Sequence, residues 1–92
     1  TLAEAYFYSG NISKALENWT KAAPLSKDGT TYLNLAVVQC QEDMWAACKG
    51  SAMKAIEKGG MAAKDAWLEI SKAETGLGNT AAAAEARRKS GR

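Results

Sequence analysis

"YLNLAVVQCQEDMWAACKGSAMKAI", residues 32 to 56, contains two stripes of packing residues divided by a polar corner. Tyr32, Leu35, Ala36 and Gln39 recur at helical spacing. After "EDM" the spacing resumes in Trp45, Cys48, Ala52, Ala55 and Ile56. A period of 3.6 residues places each set on one face, so the stretch predicts two amphipathic helices joined as a tight hairpin. It also holds the only two cysteines of the chain, Cys40 and Cys48, in a sequence without histidine.

The same layout extends in both directions. Upstream, Leu2, Ala3 and Tyr6 form a short stripe. Ile12, Ala15, Leu16, Trp19, Ala22 and Ala23 form a longer one. Downstream, Trp67, Ile70, Ser71 and Glu74 mark a further helix. "SGN" at 9 to 11 and "LGN" at 77 to 79 each supply a glycine able to take positive φ at a helix end, followed by an asparagine suited to cap the next helix. "PLSKDGT" and "KGGMAAKD" separate one hairpin from the next, with Thr30 and Asp65 as candidate N-caps. No alternating pattern competes for a strand.

Columns emerge when the hairpins are laid over one another. Ala3, Ala36 and Ser71 fall in one; Ala15, Cys48 and Ala83 in a second; Ala22, Ala55 and Ser90 in a third. The corners Gly10, Asp43 and Gly78 keep the same offsets, so variation in length sits in the loops between hairpins. This is an internal repeat. Small residues recur where two helix axes approach to about 8 Å, the lower limit of ordinary packing.

The pattern resembles the tetratricopeptide repeat (TPR), a helix-turn-helix of about 34 residues. "YLNLA" reads as the first helix of the middle unit, and Trp45, Cys48 and Ala55 as the second. The first unit follows through Leu2, Ala3, Tyr6, Gly10, Ile12, Ala15, Trp19 and Ala22, and the third through Trp67, Ile70, Ser71, Gly78, Thr80 and Ala83. The sequence departs from the family at Gln39 and Glu74, which replace an inner aromatic, at Arg87, which stands where an aromatic packs, and in lacking the closing proline. The resemblance implies an all-α fold, a right-handed superhelical stack of about three hairpins. It implies one domain over 1–92 with repeats near 1–28, 29–63 and 64–92, the first and last truncated. A finer similarity, carried by Gly59, Gly60, Trp67 and Leu68, is to bacterial TPR proteins encoded beside TonB transport genes. It implies an exported, periplasmic setting, with the cytoplasm as the alternative.

Composition narrows the function. Twelve basic and ten acidic residues give a net charge of +2, too balanced for a nucleic-acid footprint. Only Arg87, Arg88, Lys89 and Arg92 cluster, where a helix end favours positive charge. No apolar run approaches the ~20 residues that cross a bilayer, so no membrane insertion is expected of this segment. Without histidine, and without GxSxG, Walker or HExxH motifs, an enzyme is not expected, and no cofactor or metal is implied. Glu42 with Asp43, and Asp65 with Glu69, read as cap and surface carboxylates. "GLGN" is a corner, and Trp19, Trp45 and Trp67 occupy columns that pack inward.

The remaining candidate is a surface. In TPR proteins the first helix of each hairpin lines a concave groove that receives a partner peptide or protein. Matching columns puts Glu4, Phe7 and Tyr8, then Leu33, Val37, Cys40 and Gln41, then Leu68, Lys72 and Thr75 on that face. Repeats that clamp a C-terminal carboxylate carry lysine and asparagine where this chain has Leu33 and Val37, so that class is not expected. The resulting expectation is a non-catalytic scaffold for protein–protein interaction. Its alternative is self-association through the end repeats, whose apolar stripes neighbouring repeats would cover.

Cys48 takes a small-residue slot, while Cys40 lies one turn beyond Ala36. Antiparallel pairing brings both near the hairpin tip. Two thiols are too few for a structural zinc site, and CxxC spacing is absent. A disulfide and a pair of free packing thiols both remain open, with the redox state of the compartment deciding between them.

Overall fold

The computed structural model describes residues 2–60 and 63–91. Six helices follow in order: α1 (Leu2–Tyr8), α2 (Ile12–Ala22), α3 (Thr30–Gln41), α4 (Trp45–Lys58), α5 (Ala63–Gly76) and α6 (Thr80–Lys89). A single 3-10 turn, Ala23–Leu25, extends α2. Helix accounts for 81% of the described residues and strand for none, so the chain is all-α. No described helix is long and apolar enough to cross a membrane.

The corners explain the hairpins. Each has three residues, 9–11, 42–44 and 77–79, and the central one adopts positive φ: Gly10 at 88°, Asp43 at 60° and Gly78 at 84°. The backbone N–H of Asn11 donates to the Tyr6 carbonyl, that of Met44 to Gln39 and that of Asn79 to Glu74, all at 2.8 Å. The central residue's N–H donates to the carbonyl three back in every case, at 3.1 to 3.2 Å. These are three Schellman motifs, which satisfy the last carbonyls of one helix and reverse the chain. The three corners are therefore alike to the level of single backbone hydrogen bonds.

Packing follows the columns with one shift. Ala3, Ala36 and Ser71 are buried, as are Ala15, Cys48 and Ala83. In the third column Ala55 and Ser90 are buried but Ala22 is exposed, and its neighbour Ala23 fills the position. The 3-10 turn at Ala23 tightens the helix end, which rotates the small residue by one place. α3 is central, packing on α2, α4 and α5, while α4 packs on α5 and α5 on α6.

Two expected caps differ. Thr30 is the first residue of α3 rather than its cap. Asp28 supplies the capping oxygen, its Oδ1 accepting from the Thr30 N–H at 3.0 Å. Asp65 lies inside the first turn of α5, which starts at Ala63. Asn11 caps α2 through Oδ1, which accepts from the Lys14 N–H at 3.3 Å. Asn79 instead donates to Glu74 Oε1 at 3.4 Å. Arg92, the last member of the basic cluster, lies outside the described residues.

Junctions between hairpins are stitched by polar bonds. Lys58 Nζ donates to the carbonyls of Pro24 and Ser26 at 3.2 and 2.8 Å, and the Gly29 N–H donates to the Gly59 carbonyl at 3.1 Å. Gly29 is buried so closely against α4 that a Cβ there would overlap the backbone carbonyl of Ala55. The polar residues at inner-aromatic columns are buried and paired. Gln39 Oε1 accepts from Ser51 Oγ at 2.6 Å, and Glu74 Oε1 lies 3.3 Å from Lys49 Nζ. Pairing removes most of the penalty for burying such groups.

Candidate functional site

Two clefts open along α1, α3 and α5 and meet at Val37 and Gln41, which line both. The first, of about 340 Å³, lies between α3 and α5 and includes Cys40, Lys72 and Thr75. The second, of about 390 Å³, lies between α1 and α3 and includes Glu4, Phe7 and Tyr8. Eight of the ten groove residues named from the sequence thus line one cleft or the other. Leu33 and Leu68 line neither cleft; both are partly buried, and Leu33 packs against the core.

Six further side chains complete the walls. Trp19, Asn34 and Val38 join the second cleft, and Trp45, Glu69 and Arg87 the first. The repeat register could have found four of them. Asn34 and Glu69 share one column, one hairpin apart, and Trp19 and Arg87 share another, two hairpins apart. The sequence places Trp45 in the core. It is half-buried, touching the core with one side while its indole rests against Gly76 at the end of α5.

The two clefts differ in character. Phe7 sits edge-on to Tyr8, with ring centroids 5.5 Å apart at 67°, and 5.9 Å from Trp19. Tyr8 is 82% exposed, so its ring is offered to solvent on the groove face. Cations concentrate at the other cleft, where Lys72 Nζ lies 3.1 Å from Glu69 Oε2 and Arg87 lines the far wall. The Glu69 side chain is nearly enclosed, whereas Lys72 is half exposed.

Cys40 and Cys48 are joined by a disulfide with Cα atoms 5.3 Å apart, and no free cysteine remains. Both are buried. The backbone carbonyl oxygen of Glu69 lies 3.7 Å from the Cys40 sulfur and 3.8 Å from that of Cys48, so α5 covers the bridge from the neighbouring hairpin. Cys40 also forms part of the cleft floor.

Asp28 is held below its ordinary value of 3.8 by the hydrogen bonds it accepts from Thr30, backbone first. Among the described residues Lys21 and Glu17, and Lys89 and Glu85, pair along exposed helix faces, which contributes little to stability. Comparison with protein-family models, with curated proteins and with solved structures gave no match.

Proposed function

We propose that the chain is a non-catalytic interaction scaffold, in which about three TPR-like hairpins form a short right-handed stack and a partner peptide lies in the groove along α1, α3 and α5. One observation carries this reading: the two clefts share Val37 and Gln41, and the same repeat columns line both, Glu4, Val37 and Lys72 in one column and Phe7, Cys40 and Thr75 in the next. A surface built by repetition suits an extended ligand that makes equivalent contacts at successive hairpins. The aromatic end and the cationic end would set its direction.

A random peptide library displayed on phage tests the reading. Selected peptides should lose at least tenfold in affinity on a Tyr8→Ala, Val37→Glu double variant whose far-UV circular dichroism is unchanged, because both side chains are exposed or partly so. Peptides that bind the variant as tightly as the parent would move the site off the groove. Self-association through the ends has its own support, since Leu2 is 60% and Leu25 86% exposed in the first hairpin and its junction. Sedimentation over a concentration series separates the two readings: a groove binder stays monomeric and an end-stacker does not.

A further inference from the structure

We propose that reduction of the Cys40–Cys48 bridge converts the floor of the first cleft into a site for a thiophilic divalent cation of the zinc type, held by Cys40, Cys48 and Glu69. The sequence offers only two thiols, which are too few. Folding adds a third donor from the next hairpin. The two sulfurs and a carboxylate oxygen of Glu69 lie within 4.8 Å of one another, and all three residues are buried.

Chemistry and space both suit the ion. A zinc ion bonds thiolate at about 2.3 Å and carboxylate at about 2.0–2.2 Å, so tetrahedral coordination needs sulfurs about 3.8 Å apart. Cα atoms at 5.3 Å let two side chains converge on one ion once the S–S bond is gone. Two thiolates and a carboxylate neutralise the dication with one negative charge to spare, and Lys72, 3.1 Å from Glu69, stands beside that charge. Three protein donors would leave a fourth position for water, and two of the three, Cys40 and Glu69, line the first cleft. Thiolate donors select zinc over calcium or magnesium, which prefer oxygen.

The conversion balances. A dithiol reductant gives two electrons and two protons to the S–S bond, yielding two thiols and becoming a disulfide itself. Zinc then displaces both thiol protons. The bridge and the metal use the same sulfurs, so the oxidised chain excludes the ion.

Calorimetric titration of the intact chain with zinc chloride tests this, after reduction with a phosphine that is then removed under nitrogen. The expected result is one ion per chain with release of protons, seen as a dependence of the heat on buffer ionisation, and no binding to the oxidised chain. Glu69→Gln, which keeps the side chain's shape, should weaken binding at least tenfold, and cadmium should produce thiolate charge-transfer absorption in the near ultraviolet. Cys40→Ser should abolish that band. Because the oxidised parent is itself a folded non-binding control, the comparison of reduced with oxidised chain holds even if Cys40→Ser does not fold. Failure of the reduced chain to bind zinc, equal binding by the oxidised chain, or unchanged affinity in Glu69→Gln would each overturn the site.

Discussion

Alanine in place of Gly76 should reverse the usual effect of that substitution. Gly76 ends α5 with negative φ, so alanine suits its backbone. In an open helix the change gains up to about 1 kcal/mol. Here a Cβ would enter the indole of Trp45, meeting its fused ring atoms. The ring cannot retreat freely, because it also packs against the core. Forcing an extra methyl into packed surroundings costs about 1–3 kcal/mol. The balance is a loss of up to about 3 kcal/mol in the parent. Removing the ring removes the clash, so Gly76→Ala should become stabilising, by up to about 1 kcal/mol, in a Trp45→Ala background. Gly50 serves as the control. It lies in α4 with nothing within 4 Å of its built Cβ, and Gly50→Ala should stabilise by about 0.5–1 kcal/mol. Urea unfolding of the four cycle members and the control, followed by far-UV circular dichroism, measures every term. Equal gains from alanine at 76 and 50 in the parent would refute the packing of Trp45 on α5, and with it the wall of the first cleft.

Three other outcomes are expected. Asp43 holds a φ of 60° where its two counterparts are glycine, so Asp43→Gly should be neutral or stabilise by up to about 1 kcal/mol, while Asp43→Val should destabilise by about 1–2 kcal/mol; denaturant midpoints decide it. Reducing the Cys40–Cys48 bridge without metal should cost about 2–3 kcal/mol, the loop entropy of so short a ring, and a Cys40→Ala, Cys48→Ala double variant should be insensitive to reductant in the same unfolding assay. Asp28 has a lowered folded-state pKa, so its contribution to α3 is present above its ordinary value of 3.8 and is lost as the pH falls through the folded value. The Thr30 amide shift, followed by nuclear magnetic resonance, should titrate below pH 3.8 and stop titrating in Asp28→Asn.

Legibility in the sequence followed the physics of each feature. Helical stripes and corners were readable because both are local: a stripe needs only its own period, and a Schellman corner needs one residue that tolerates positive φ. Gly10 and Gly78 announce themselves, and Asp43 was found by register alone. Details that depend on a neighbour were not readable. Whether Ala22 or Ala23 faces inward turns on the 3-10 twist before Pro24. Whether Thr30 or Asp28 caps α3 turns on a loop held by Gly29, Gly59 and Lys58.

The groove shows the same division more sharply. Residues exposed along the first helix of each hairpin could be assigned by column, because a repeated geometry gives repeated exposure. Leu33 and Leu68 depart from that rule, being partly buried and lining neither cleft. Glu69 illustrates what only packing creates. In the sequence it is one carboxylate in an amphipathic helix, 21 residues from Cys48 and 29 from Cys40. In the fold its backbone carbonyl covers the disulfide while its carboxylate holds Lys72 at the cleft wall. One residue of the third hairpin therefore touches both the disulfide of the second and the charge at the cleft wall.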